Sequence, residues 1–198
     1  MPSAPLTRGP YAKTAARREE ILRSALIVFA EKGFDGTSLT AIGEAVGVTR
    51  EALRHYFSSR QELLLALVEA RDTRSKDLIS DIPHDEPVMR RVEASAERQR
   101  SDKGLVSLYT SLVATALHSG DASKRFFTDR FAALRAGVAR AVELDQERGL
   151  IRADIPAQKL AALILAVSDG LQQQWLLDES IDVADGLRIL ETLLTPPA

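Results

Sequence analysis

The stretch "VGVTREALRHYF", Val46 to Phe57, crowds Arg50, Glu51, Arg54 and His55 into six consecutive positions. Helical residues four apart share a face. Arg50 with Arg54 and Glu51 with His55 therefore fall on one side, and Val48, Ala52, Leu53 and Phe57 are left to pack inward. A face of this composition can read nucleic acid. An arginine fork matches the acceptors of a guanine edge or a phosphate, and a glutamate can accept from cytosine. Thr37, Thr40, Thr49, Tyr56 and Arg60 fall near helix ends, where hydroxyls, backbone N–H groups and cations suit phosphates. The same residues also describe a solvated corner of a helical bundle. A lone helix–glycine–helix pattern does not separate the two.

The elements that must position these residues are helical. "AARREEILRSALIVFAEKG" places Ile21, Leu22, Ala25, Leu26 and Phe29 on one stripe, with Gly33 as the stop. A short second helix follows, capped by Thr37 or Ser38 and ended by Gly47, whose left-handed conformation suits a tight reversal. Thr49 opens a third, to about Phe57, and Ser59-Arg60-Gln61-Glu62 reads as a capping box ahead of a fourth. Beyond residue 80 come a proline-containing linker, a polar helix from about Val88 to Arg100, and an apolar helix between Gly104 and Gly120. A long amphipathic helix ends near Gly149, and Pro156 suits the first position of the next. The last helix closes the chain before "TPPA". The fold class expected is all-α, with about nine helices and no convincing strand.

Composition narrows the function classes. The chain has 198 residues, 45% apolar and 27% charged, as in a soluble globular protein. It contains no cysteine, which removes disulfides, thiolate metal sites and a cysteine nucleophile. No signal-peptide core and no membrane-length apolar run is visible, so a cytoplasmic location is expected. Net charge is −2, but residues 1–60 carry +3 and the remainder −5, an asymmetry that hints at a nucleic-acid-facing end. An all-α enzyme is the rival class. His55, His84 and His118 lack metal-ligand spacing, and there is no phosphate loop, nucleophile elbow or H-E-x-x-H. No catalytic residue, metal or cofactor is expected.

The framework around the opening stretch resembles a known family. Arg18, Ile21-Leu22, Ala25, Phe29, Gly33-Phe34, Thr37-Ser38, Ile42, Ala45, Gly47-Val48-Thr49, Leu53, Tyr56-Phe57 and Ser59 through Leu64 follow the spacing of the TetR (tetracycline-repressor) N-terminal DNA-binding domain, over Ala16 to Leu67. The later "GLIRADIPAQKLAALILAVSDGLQQQWLLD" is more loosely similar to the C-terminal helices of bacterial members. The sequence departs where the family usually has Lys (here Arg60) and where "TLY" is frequent (here Ala52-Leu53-Arg54). The resemblance implies an arm over 1–13, a helix-turn-helix domain over 14–59, and a ligand-sensing and dimerisation domain over 60–198. It implies a homodimeric repressor that binds a palindromic operator on double-stranded DNA and is released by a small-molecule effector. DNA contacts then fall to Thr37, Thr40, Thr49, Arg50, Glu51, Arg54, His55, Tyr56 and Arg60, with Arg8 and Lys13 of the arm available to a minor groove.

In the C-terminal part, aromatic and polar residues suggest a ligand pocket between bundle helices: Tyr109, His118, Phe127, Phe131, Asp169, Gln173 and Trp175. Aromatics at helical spacing also make ordinary core. Leu160 to Leu194 is apolar on more than one face, which calls for cover on both sides. A dimer through Leu165, Gln172, Leu176, Leu187, Leu190 and Leu194 is the expectation. The alternative function is a DNA-binding dimer that answers to a protein partner, or to nothing.

Overall fold

The computed structural model describes residues 10–32, 38–79, 85–101, 103–118 and 121–196. Nine α-helices and no strand occur among the described residues, as expected. They divide into two compact units, Met1–Arg71 and Asp72–Ala198.

In the first unit, α1 (Pro10–Lys32) buries the stripe Ile21, Leu22, Ala25, Leu26 and Phe29. Each of the four larger side chains contributes roughly 1.5–3 kcal/mol by leaving water. The helix begins at Pro10, so the expected arm over 1–13 is shortened. Lys13 lies in α1, and Arg8 and Gly33 lie outside the described residues. The second helix, α2 (Leu39–Val46), is capped by Ser38, whose hydroxyl oxygen accepts the Ala41 N–H. It closes at Gly47, with φ 66°. Next comes α3 (Arg50–Tyr56), between Thr49 and Phe57, and then α4 (Arg60–Ile79). The boundary between units falls inside α4, between Arg71 and Asp72, later than the division at 59/60. Its opening turns bury Leu63, Leu64 and Leu67, which belong to the first unit.

The second unit contains α5 (Val88–Arg100), α6 (Lys103–Ala116), α7 (Asp121–Glu147), α8 (Ala157–Leu177) and α9 (Val183–Leu194). Pro156 is the N-cap of α8, one position before the place anticipated. Because Pro87 gives α5 no side-chain cap, the buried carboxylate of Asp145 on α7 accepts the Val88 N–H at 2.6 Å instead. A buried core joins Val88, Val106, Val142, Leu160, Ile164, Trp175, Leu187, Leu190 and Leu194.

Burial takes in four of the six residues expected at a dimer face. Leu187, Leu190 and Leu194 are buried within the single chain, and so is Gln172, which donates to the Ser168 hydroxyl. Leu165 and Leu176 are half-buried. The periodic stripe of α9 faces α5 and α8 of its own unit. On the last two helices the large apolar residues left outside are Leu163 (47% exposed) and Leu177 of α8, and Ile189 (57%) and Leu193 (65%) of α9; Ile27, Leu117, Leu144 and Leu150 are exposed elsewhere.

Candidate nucleic-acid interface and effector site

The corner of α2 and α3 is built by two glycines with different duties. Gly47 takes the left-handed backbone that ends α2, and its N–H donates to Glu44 O. Gly43 allows a close approach. A Cβ there would stand 2.6 Å from the carbonyl oxygen of Val48, whose own N–H donates to Gly43 O at 2.8 Å. The following turn is fixed by Thr49, whose hydroxyl oxygen accepts the Ala52 N–H at 3.1 Å. Because a hydroxyl both accepts and donates, the Thr49 O–H proton is still available to a partner.

Once α3 is seated by buried Leu53 and Phe57, Arg50, Glu51, Arg54 and His55 are all exposed on it. Among the described residues, Arg50 and Arg54 make no ion pair. Thr40 and Arg60 are exposed beside them in sequence, and Tyr56 is half-buried. Thr37 lies outside the described residues. Glu51 sits in the first turn of α3 and Arg54 and His55 in the last, so the charges also suit the helix dipole.

The exit from α3 is clasped from two sides. Ser59 accepts the Glu62 N–H through its hydroxyl oxygen, and the Glu62 carboxylate reaches back to the N–H and hydroxyl of Ser58 at 2.7 and 2.6 Å. A capping box would return to Ser59; here the return is one residue earlier. The hydrogen bonds from the Ser58 hydroxyl and backbone hold the Glu62 carboxyl below its ordinary pKa, with Arg18 adding to the effect. The Arg18 guanidinium lies 4.6 Å from the Phe57 ring centroid, and Arg17 donates to Val46 O at 3.0 Å. Thus α1 holds both ends of the α2–α3 corner.

In the second unit the expected pocket residues separate. Tyr109, Phe127 and Phe131 come together: Tyr109 and Phe127 are buried with ring centroids 6.1 Å apart, and half-buried Phe131 faces the same guanidinium as Tyr109. Trp175 instead belongs to the core around Leu160 and Leu187. Gln173 is exposed on the outer side of α8, and His118 is exposed in the turn after α6. Asp169 is half-buried. Of the seven residues expected at a pocket, the structure brings three together.

The centre of that group is Arg130, which the sequence reading did not single out. Its Nε and Nη2 donate to the two carboxylate oxygens of Asp72 at 2.6 and 2.9 Å, and its Nη1 donates to the Tyr109 hydroxyl at 3.0 Å. The guanidinium carbon stands 4.7 Å from the Tyr109 ring centroid and 5.8 Å from that of Phe131. Burial works against the charge, but the hydrogen bonds and charges of Asp72 and Tyr109 outweigh it and raise the pKa above the usual arginine value. The one signal in sequence was an arginine set between Phe126-Phe127 and Phe131.

The known proteins that this chain resembles agree with the corner. The profile described as bacterial regulatory proteins, tetR family, matches residues 21–67. The HTH-type transcriptional repressor AcnR of Corynebacterium diphtheriae is 31% identical over 155 residues, covering 78% of each protein. The chain belongs to the TetR family. A TetR-family regulator from Rhodococcus sp. superimposes with a TM-score of 0.73 at 22% identity, covering 90% of this chain and 98% of that one. A transcriptional regulator from Saccharomonospora viridis, solved in complex with choline, gives a TM-score of 0.72 at 19% identity, covering 90% and 95%. This TetR-family chain is a transcriptional regulator with a helix-turn-helix DNA-binding domain. Its relatives are repressors and regulators, not enzymes.

Proposed function

We propose that the chain is a homodimeric, cytoplasmic repressor that holds a palindromic operator and is released by a small-molecule effector. The observation that carries the DNA contact is the outward face of α3: Arg50 and Arg54 stand exposed and, among the described residues, without an ion pair, while Leu53 and Phe57 anchor the opposite face. Arg50 and Arg54 read base edges or phosphates, with Glu51 and His55 between them. The Thr49 hydroxyl, Thr40, Tyr56 and Arg60 hold the backbone. Thr37 has the same role by family resemblance.

Dimerisation uses the apolar residues that α8 and α9 leave outside, Leu163, Ile189 and Leu193, in place of the buried set first expected. Ile189 and Leu193 are one helical turn apart and cover one face. A second copy laid on them removes apolar surface from water at roughly 25 cal/mol per Å². The dimer sets two recognition helices in successive major grooves, about 34–36 Å apart. An effector releases the operator only by binding the DNA-incompatible conformation more tightly. The aromatic group at Arg130 is the site for it, and the choline bound by a structural neighbour supports small-ligand binding by this fold.

Genome-wide mapping of bound DNA tests the reading. The expected result is a short inverted repeat, bound in a shift assay with an affinity that falls steeply with salt as phosphate contacts release counterions. Sedimentation should return twice the 21.6 kDa of one chain. Salt-independent binding, or a single-chain mass at micromolar protein, would refute it.

A further inference from the structure

The geometry points to Arg130 as an anion receptor that the chain closes with its own carboxylate: Asp72 occupies the place of an effector carboxylate, and the effector class is an organic anion with a flat apolar body. This inference rests on the effector-released reading above and names its ligand chemistry.

Three observations carry it. First, Asp72 is not the only group that holds the guanidinium. Tyr109 accepts from Nη1 at 3.0 Å, and the rings of Tyr109 and Phe131 face the guanidinium carbon at 4.7 and 5.8 Å. An arginine fixed by stacking and one hydrogen bond presents its remaining edge, Nε and Nη2, as a ready fork for two oxygens.

Second, the occupant of that fork is exchangeable in kind. Asp72 contributes two carboxylate oxygens at 2.6 and 2.9 Å. Any carboxylate supplies the same pair. A neutral group does not, because a buried guanidinium without an anion carries an uncompensated charge. Most of the desolvation of Arg130, whose side chain is only 13% exposed, is done before the ligand arrives. Exchange of one carboxylate for another therefore leaves its charge compensated.

Third, the surroundings suit an apolar body. Phe127 lies against Tyr109 and edge-on to Phe126 at 5.1 Å, so the ring that flanks the guanidinium is continued by two more aromatic rings. The exchange has a mechanical result as well. The pair joins α7 to α4, residues 58 apart in sequence, and α4 is the helix that starts directly after the recognition helix. An exogenous carboxylate on Arg130 removes that tie.

Benzoate and its uncharged analogue benzamide are the probes, used at constant ionic strength on the full chain, on Asp72→Ala and on Arg130→Gln, with thermal midpoint as the readout. The expected result has three parts. Benzoate raises the midpoint of the parent. It binds Asp72→Ala at least tenfold more tightly, because the internal competitor is gone. It leaves Arg130→Gln unmoved, and benzamide shifts none of the three. If Arg130→Gln does not fold, the tighter binding to Asp72→Ala and the benzoate–benzamide contrast still decide the matter. The inference is overturned if benzoate moves neither the parent nor Asp72→Ala, if benzamide acts equally, or if removing Asp72 weakens benzoate. A shift assay on the mapped operator separates the two levels. Benzoate bound at Arg130 without operator release upholds the receptor and refutes effector control. Release by neutral compounds only upholds effector control and refutes the receptor.

Discussion

The arginines of the two units stand in opposite circumstances. On α3, Arg50 and Arg54 are exposed and without an ion pair among the described residues. On α7, Arg130 has all three nitrogens donating and two aromatic rings against it. An exposed guanidinium keeps its water until a partner arrives, so its contribution appears in binding and hardly in folding. A buried one is desolvated when the chain folds, so its loss appears first in stability. The same side chain therefore fits the proposed reader in one unit and the proposed receptor in the other, and burial makes the difference.

Substitutions can break this contrast, and the largest effect belongs to the buried site. Arg130→Ala leaves Asp72 without its cation and opens a gap beside Tyr109, and should cost about 3 kcal/mol in urea unfolding. A loss within 0.5 kcal/mol, the usual range of an exposed site, would mean that the ion pair is not formed in solution. Arg50→Ala and Arg54→Ala should do the reverse. Each is expected to leave unfolding unchanged and to weaken operator binding by roughly 1–3 kcal/mol if it reads a base. Should both variants bind like the parent, α3 is not the reading helix.

Glu62→Gln sharpens the comparison at the smallest scale. The carboxyl pKa is lower in the folded chain than in the unfolded one. Its clasp on Ser58 therefore adds stability above the unfolded value, about 4.3, and that increment disappears as pH falls through the folded value. The side chain is 42% exposed, so solvent screening limits the effect to about a few tenths of a kcal/mol. Parent and variant unfolding curves measured from pH 7 to pH 3 should converge at the acid end. A constant gap would show that the carboxylate's charge is not what matters.

Local chemistry was legible in the sequence. Ser38 and Gly47 bracket α2 as their capping habits require, α5 runs from Val88 to Arg100 as its pattern indicates, and the Ile21–Phe29 stripe is buried. Periodicity also told which residues of α9 are apolar, but a stripe does not name its partner. Leu187, Leu190 and Leu194 meet their own chain, and Ile189 and Leu193 are left exposed. The Arg130–Asp72 pair was hidden because it joins positions far apart, with Phe126-Phe127 and Phe131 as the only local sign. Gly43 was hidden for another reason: inside a short helix it looks like a mere weak helix former, and only the approach of Val48 O gives it a task.

The Asp145 carboxylate on Val88 carries a consequence for the order of assembly. A helix whose first N–H is satisfied by a residue of its own turn can form early and alone. The opening N–H of α5 has its acceptor 57 residues away, on the far half of α7. That end of α5 is completed only after a long loop has closed, which couples the two helices into one cooperative step. In the α2–α3 corner, by contrast, the caps at Ser38 and Thr49 are satisfied within three residues, and the long-range hold comes from Arg17 and Arg18 of α1.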